Sequence, residues 1–186
     1  RALGGRFIPF EENLFNDRAV VMPTPHSASY RPQTDAVAMS AGWRWSIPLT
    51  TRVGNGYVYS SKHISDEAAE AELRAACGSS AEARFLKMRV GRMEHTWHRN
   101  CLAAGLSQGF IEPLEATALQ VICVEASTLA DSLVDSLQEP TPTIIELYNE
   151  FNTSGWDDIR DFLAAHYAFN QRLDTPFWRA CRSDTD

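Results

Sequence analysis

A chain of 186 residues with 44 % apolar side chains, 5 Trp and 9 Phe among them, can build one domain or two small ones around a sizeable core. Acids outnumber bases, 24 against 17, for a formal charge of -7, and no basic stripe tracks a phosphate backbone, which argues against nucleic acid as a partner. No long uninterrupted apolar run marks a membrane span and no signal-peptide pattern opens the chain. Cys77, Cys101, Cys123 and Cys181 are scattered, with no Cys-x-x-Cys or zinc spacing, so reduced thiols in a cytoplasmic setting are the simplest reading.

Asp17–Met22 is the first strand candidate, followed by a loop over Pro23–Pro32 that three prolines and small polar residues enforce. Val37–Leu49 is the next extended region, with Pro48 arguing against a fully hydrogen-bonded central strand at that point. Gly54-Asn55-Gly56 reads as a turn into Tyr57–Ser61, making Val37–Val53 and Tyr57–Ser61 hairpin neighbours. Ser65 followed by Asp66 and Glu67 opens a helix, Ala68 to Ala76 sustain it with Leu73 as its inward anchor, and Gly78 stops it. Phe85–Val90 and Met93–Trp97 return to strand character around Gly91. His95 and His98 lie in this extended stretch without a third clustered ligand, and His26, His63 and His166 are isolated, so no metal site is expected.

Gly105–Leu119 is the pivot of the chain: strands and turns precede it, mostly helices follow. Gly105 and Gly109 permit tight turns or close backbone approach, and Pro113 suits the entry to the helix that follows. From Glu115 the sequence is apolar at Ala116, Ala118, Leu119, Val121, Ile122 and Val124, which predicts a long helix over Glu115–Leu137, its first half enclosed by sheet and neighbouring helices. Pro140 and Pro142 end it. Thr143–Phe151 and Trp156–Leu173 read as two further helices separated by Thr-Ser-Gly, and Pro176-Phe177-Trp178 anchors the tail. A glycine- and proline-rich turn running into a helix N-terminus presents backbone N–H groups and a positive dipole end, suited to an anion or a cofactor edge. The plainer alternative is a junction without function, in which Glu112 and Glu115 are ordinary first-turn acids.

Two motifs decide between them. Gly42-Trp43-Arg44-Trp45-Ser46-Ile47-Pro48 carries a Trp-x-Trp-x-Ile-Pro pattern, and Gly109-Phe110-Ile111-Glu112-Pro113-Leu114-Glu115-Ala116-Thr117 follows the turn. Together they resemble the second half of a flavin-dependent halogenase of the tryptophan halogenase family. The likeness extends over nearly the whole chain, through Asn16-Asp17-Arg18-Ala19, Gly56–Ser61, His166-Tyr167, Arg172-Leu173-Asp174 and Phe177-Trp178. It implies an α+β fold, the carboxy-terminal portion of a flavin-monooxygenase-like fold. Residues 1–110 would form a β-rich substrate and flavin side with one surface helix, and residues 111–186 a helical region completing the flavin, halide and substrate site. The family's dinucleotide fingerprint and catalytic lysine would then lie upstream, since Arg1–Phe10 has no strand–glycine-turn–helix unit.

The resemblance also implies the chemistry. Reduced FAD, delivered by a separate flavin reductase, and oxygen oxidise chloride or bromide, and the resulting hypohalous acid travels through a tunnel to a small aromatic substrate. Glu115 takes the place of the catalytic glutamate facing the upstream lysine, where it stabilises the charged arene and accepts its proton. Gly109, Phe110, Pro113 and Thr117 are the implied cofactor-binding residues, and Thr117 with Ala118 the implied halide site. Ala116 and Ala118 stand where tryptophan-specific members have serine and glycine. The backbone donors survive both changes, but the added methyl narrows the space, leaving an indole, phenol or pyrrole, free or carrier-bound, open as substrate. Trp43 and Trp45 would form the tunnel wall, although two core anchors explain the same spacing. An aromatic hydroxylase and a non-catalytic interaction module are the competing functions.

Overall fold

The computed structural model describes residues 5–26 and 32–183, and the part of the Pro23–Pro32 loop over 27–31 lies outside them. The chain starts with β1 (Phe7–Pro9), β2 (Arg18–Thr24), β3 (Asp35–Met39), β4 (Gly42–Pro48), β5 (Val53–Tyr59), α1 (Asp66–Cys77) and β6 (Arg84–Lys87). It continues with β7 (Gly91–Met93), β8 (Trp97–His98), β9 (Cys101–Leu102), β10 (Gly109–Phe110), α2 (Thr117–Asp135), α3 (Pro142–Ala168) and α4 (Pro176–Ser183). This is the α+β order expected from sequence, a sheet region followed by a mainly helical one. By compactness the chain divides into Phe15–Met88 with Ala165–Asp186, and Arg1–Leu14 with Arg89–Ala164.

The first of these units is an antiparallel sheet in the order β3-β4-β5-β2-β6. Tyr57 and Tyr59 alternate to one face of β5, where Val20, Met22, Met39, Ala69 and Leu73 close a core under α1. Burying Leu73 alone stabilises by about 2 kcal/mol. Helix α1 follows its sequence signals: the Ser65 hydroxyl accepts from the Ala68 N–H, Asp66 and Glu67 occupy the first turn, and Gly78 ends the helix at φ 68 with its N–H on the Arg74 carbonyl. The tail docks in the same unit. Phe177 and Trp178 are buried, the Trp178 indole donates to the Met39 carbonyl at 2.7 Å, and Asn16 donates to the Tyr167 hydroxyl at 2.7 Å.

Several details differ from the sequence reading. The extended region Val37–Leu49 is two antiparallel strands, β3 and β4, joined by a tight turn at Ser40-Ala41, and the strands expected over Phe85–Val90 and Met93–Trp97 fall at β6 and β7. Pro23 and Thr24 extend β2 rather than starting the loop, at a point where β6 has ended and only β5 remains as a pairing neighbour. The hairpin turn falls at 49–52, closed by the Leu49 N–H on the Arg52 carbonyl, and Gly54-Asn55-Gly56 lies inside β5. The reason is steric. Gly56 pairs with Trp45, and a Cβ at Gly56 would sit 2.0 Å from the Trp45 indole. The glycine is space for a ring, not a turn signal. Pro48 stands at the end of β4 beyond the last residue pairing with β3, so its missing N–H costs no ladder bond to that strand.

The second unit joins the strands β1-β7-β10, the β8–β9 pair, α2 and most of α3. Arg92 on β7 makes a bidentate pair with Asp157 on α3, at 2.9 and 2.6 Å, with only 13 % of the Arg92 side chain exposed. Asn149 on α3 accepts from the N–H groups of Thr96 and Trp97, and its own amide donates to the Trp97 carbonyl. These anchors explain why α3 runs unbroken where two helices separated by Thr153-Ser154-Gly155 were expected. A helical glycine costs about 1 kcal/mol. Buried Tyr148, Asn152 and Trp156 on both sides of the break hold the helix against that cost.

Helix α2 departs further from expectation. Its apolar first half is not enclosed: Leu119 is 69 % exposed, and Ile122 and Val124 are exposed too, while Glu125 is its buried residue among those described. By length and composition Leu114–Asp135, with an 18-residue window of mean hydropathy 1.3, is long and apolar enough to cross a bilayer. The buried carboxyl at its middle is hydrogen-bonded to Trp156 of α3, so this helix face packs on protein.

Candidate functional site

The Gly105–Leu119 stretch is built as a succession of tight turns. Gly105, at φ 58, starts a short 3-10 turn through Ser107, which the Gln108 N–H closes on the Gly105 carbonyl. Gly109 and Phe110 then pair with Arg92 and Gly91 on β7. Gly109 is glycine because the protein itself closes on it: a Cβ there would meet the Gly91 carbonyl at 2.9 Å and the Trp156 ring at 3.2 Å. Ile111 and Glu112 are fully buried and Pro113 is exposed.

A second 3-10 turn, Leu114–Ala116, delivers the chain to α2 through two consecutive left-handed residues, Glu115 (φ 60, ψ 6) and Ala116 (φ 54, ψ 24). Non-glycine residues held there cost of order 1–3 kcal/mol each, and such strain concentrates at ligand clamps and active sites. Glu115 is exposed and Glu112 fully buried, so the two carboxylates three residues apart face different surroundings. Of the two, Glu115 is the one accessible to solvent.

The start of α2 is uncapped. Its N-cap residue, Ala116, has no side-chain acceptor, so the first-turn N–H groups have no partner from a capping side chain. Beside them the Thr117 hydroxyl oxygen is buried without a hydrogen-bond partner among the described residues. An orphaned hydroxyl at a positive dipole end suits a small anion, and these residues fit a halide. Thr117 also borders a cavity of about 610 Å³ between α2 and α3, walled by Val121, Val124, Leu147, Phe151 and Ile159.

Thus Gly109, Phe110, Pro113, Glu115, Thr117 and Ala118 lie together in one unit. Trp43 and Trp45 belong to the other. There they share the sheet face opposite α1, with ring centroids 5.9 Å apart, Trp43 buried and Trp45 partly so. Their cross-strand neighbours are small: Ala38 and Val58 flank Trp43, and Ala36 and Gly56 flank Trp45. The alternation of indoles with small residues makes a continuous aromatic surface.

Sequence reasoning passed over Gln108, Glu125 and Trp156, which support the turn from behind. The one available signal was an acid, Glu125, interrupting an otherwise apolar helix. Burial holds its carboxyl above the ordinary range, against the Trp156 indole, the Gly105 amide and the Gln108 side chain, which all favour its charged form. Tyr148, whose hydroxyl donates to the Glu125 backbone carbonyl at 3.3 Å, is likewise pushed up by burial, to about 12.

An antiparallel sheet region, a strained turn and an uncapped helix start, followed by a helical region, define an α+β architecture found among halogenases of known structure. The family model for tryptophan halogenase matches residues 1–186, and the chain belongs to that family of flavin-dependent halogenases. It is 41 % identical over 182 residues to the tryptophan 7-halogenase KtzQ of Kutzneria sp. (strain 744), covering 95 % of this chain and 34 % of that protein. Among solved structures it superimposes on the tryptophan 6-halogenase SttH of Streptomyces toxytricini with a TM-score of 0.91 and 36 % identity, over 100 % of this chain and 37 % of that one. The flavin-dependent halogenase BrvH of Brevundimonas sp. BAL3 matches with a TM-score of 0.89 at 36 % identity, over 100 % of this chain and 38 % of that one. The chain therefore spans about a third of the length of these relatives.

Proposed function

We infer that this chain forms the halide-binding and arene-facing part of a flavin-dependent halogenase that chlorinates or brominates an electron-rich aromatic of indole, tryptophan, phenol or pyrrole type. The observation that carries the reading is the uncapped start of α2 beside the buried, unpartnered Thr117 hydroxyl. Relatives named as halogenases at about 40 % identity support it.

The N–H groups of Thr117 and Ala118 and the Thr117 hydroxyl hold the halide. Gly109, Phe110 and Pro113 border the flavin ring. Bound reduced FAD, delivered by a separate flavin reductase, supplies with oxygen the two-electron oxidation of halide to hypohalous acid. The exposed Glu115 carboxylate stabilises positive charge on the arene and takes the ring proton onto a carboxylate oxygen as aromaticity returns. Trp43 and Trp45 wall the path along which the oxidant reaches the arene. The isolated 186 residues are expected not to turn over, because a reactive intermediate needs an enclosed, aligned site and relatives at about three times this length supply the rest of it.

The test uses a complete halogenase carrying this segment, with FAD, reductase, oxygen and a panel of indoles, phenols and pyrroles. Halogenated product that depends on added chloride or bromide is the expected result. Hydroxylated product formed equally well without halide refutes the reading in favour of an aromatic hydroxylase. Absence of flavin turnover refutes it in favour of a non-catalytic module.

A further inference from the structure

The burial pattern of α2 is the reverse of an ordinary amphipathic helix. Its leucine, isoleucine and valine side chains at 119, 122, 124 and 134 are exposed, and Glu125 is 3 % exposed. A carboxyl in that position is retained against a desolvation cost, so its contacts define what it does. One oxygen accepts from the Trp156 indole N–H at 3.0 Å. The Gly105 backbone N–H and the Gln108 side chain approach the same carboxyl. Its Oε2, and both polar atoms of the Gln108 amide, complete no hydrogen bond of good geometry with described residues.

These partners flank the turn on both sides. Gly105 starts it, and the Gln108 carbonyl accepts from the Met93 N–H at 2.7 Å, tying it to β7. Trp156 stands 3.2 Å from where a Cβ of Gly109 would be, so the indole held by Glu125 is also the floor beneath Gly109. Tyr148 supports Glu125 from α3 and packs edge-on against Trp97, with centroids 5.3 Å apart. The carboxyl thus sets the position of Trp156, and Trp156 sets the height of the Gly109–Phe110 backbone.

We propose that Glu125 is a positioning residue for the Gly105–Phe110 turn, acting through Trp156 and Gln108 to fix the backbone that borders the flavin and halide. The flavin and halide part of this statement rests on the functional reading above; the positioning does not. Glu125 touches neither substrate nor cofactor in this role. Raised by burial, the carboxyl loses stabilisation in the folded state as pH climbs through the ordinary carboxylate range to its own higher value, and the turn senses that change. Tyr148 is the other titratable group set against it, and it stays neutral across that range.

The experiment is ¹H–¹⁵N NMR and amide exchange on the full chain, with Glu125→Gln, Glu125→Ala and Trp156→Phe variants. The Trp156 indole N–H and the Gly105, Gln108 and Gly109 amides should shift together with pH, at a midpoint above that of an exposed carboxylate. Glu125→Gln should abolish that shared titration while keeping the turn protected. Glu125→Ala should accelerate exchange of the turn amides by about tenfold or more, leaving the amides of Tyr57 and Leu73 unchanged. Unchanged turn amides in Glu125→Ala, or acceleration spread evenly over all amides, overturns the proposal. If Glu125→Ala does not fold, absence of the shared titration in the wild type overturns it instead. Chloride added to the same samples reads the Thr117 and Ala118 amides separately. A chain that ignores chloride yet keeps the Glu125 titration refutes the halide reading and upholds the positioning.

Discussion

Gly56→Ala isolates the contact between Trp45 and the middle of the sheet. Gly56 lies outside the left-handed region, so alanine meets no backbone penalty there. In a strand with free space the change would stabilise by about 0.5–1 kcal/mol through the lost flexibility of glycine. The space is not free. The new methyl would fall 2.0, 2.3 and 2.4 Å from three atoms of the Trp45 indole, closer than carbon atoms can approach, so the ring must swing out or the β4–β5 pairing must open. Overpacking of that kind costs about 1–3 kcal/mol. With a urea dependence of about 2 kcal/mol per molar, a 2 kcal/mol loss lowers the unfolding midpoint by about 1 M. Near-ultraviolet circular dichroism of the Trp43–Trp45 pair should change in the same variant. Trp45→Ala removes the obstacle, so in that background Gly56→Ala should be neutral or stabilising. An equal loss in both backgrounds refutes the reasoning and sends the role of Gly56 elsewhere.

In a complete halogenase carrying this segment, Glu115→Gln should lower halogenated product about a hundredfold while flavin reoxidation changes little; normal arene halogenation by the folded variant removes Glu115 from catalysis. Glu112→Gln is the matched control, and a larger selective loss of halogenation there moves the role to the buried carboxylate. Trp43→Ala should cost about 3–5 kcal/mol in thermal or urea unfolding because a buried indole is deleted, whereas Trp45→Ala, only partly buried, should cost less. If the pair walls the oxidant's path, either change should also release hypohalous acid or peroxide at the expense of product, and unchanged coupling in folded variants leaves them as core residues. The Asp66 carboxyl is held below the usual range by hydrogen bonds from the Tyr59 hydroxyl and the Arg18 guanidinium, at 2.6 Å each for the shorter contacts. Its stabilisation is present above the unfolded aspartate value, about 3.9, and is lost as pH falls through the lower folded value. Asp66→Asn should flatten that part of the stability–pH curve, and an unchanged acid limb refutes the assignment.

Local chemistry was legible in the sequence wherever a side chain acts on its own backbone. Ser65, Asp66, Glu67 and Gly78 fixed α1 because capping, first-turn acidity and a left-handed glycine are interactions within a few residues. The order of a sheet region followed by helices was legible for the same reason, and the Gly105–Leu119 junction announced itself by glycine and proline. What the tertiary structure decided were features governed by a distant neighbour. Gly56 reads as a turn until Trp45 is laid across it, and Gly155 reads as a break until Asn149, tied to the Thr96–Trp97 backbone, and Trp156, tied to Glu125, are seen to hold α3 on both sides. The apolar run of α2 reads as a buried helix, because hydropathy reports what a segment can bury and not what lies against it; Glu125 is the residue the fold encloses. The left-handed turn at Glu115 and Ala116, beside the buried Glu112, has no sequence signature at all, since neither a glutamate nor an alanine prefers that conformation.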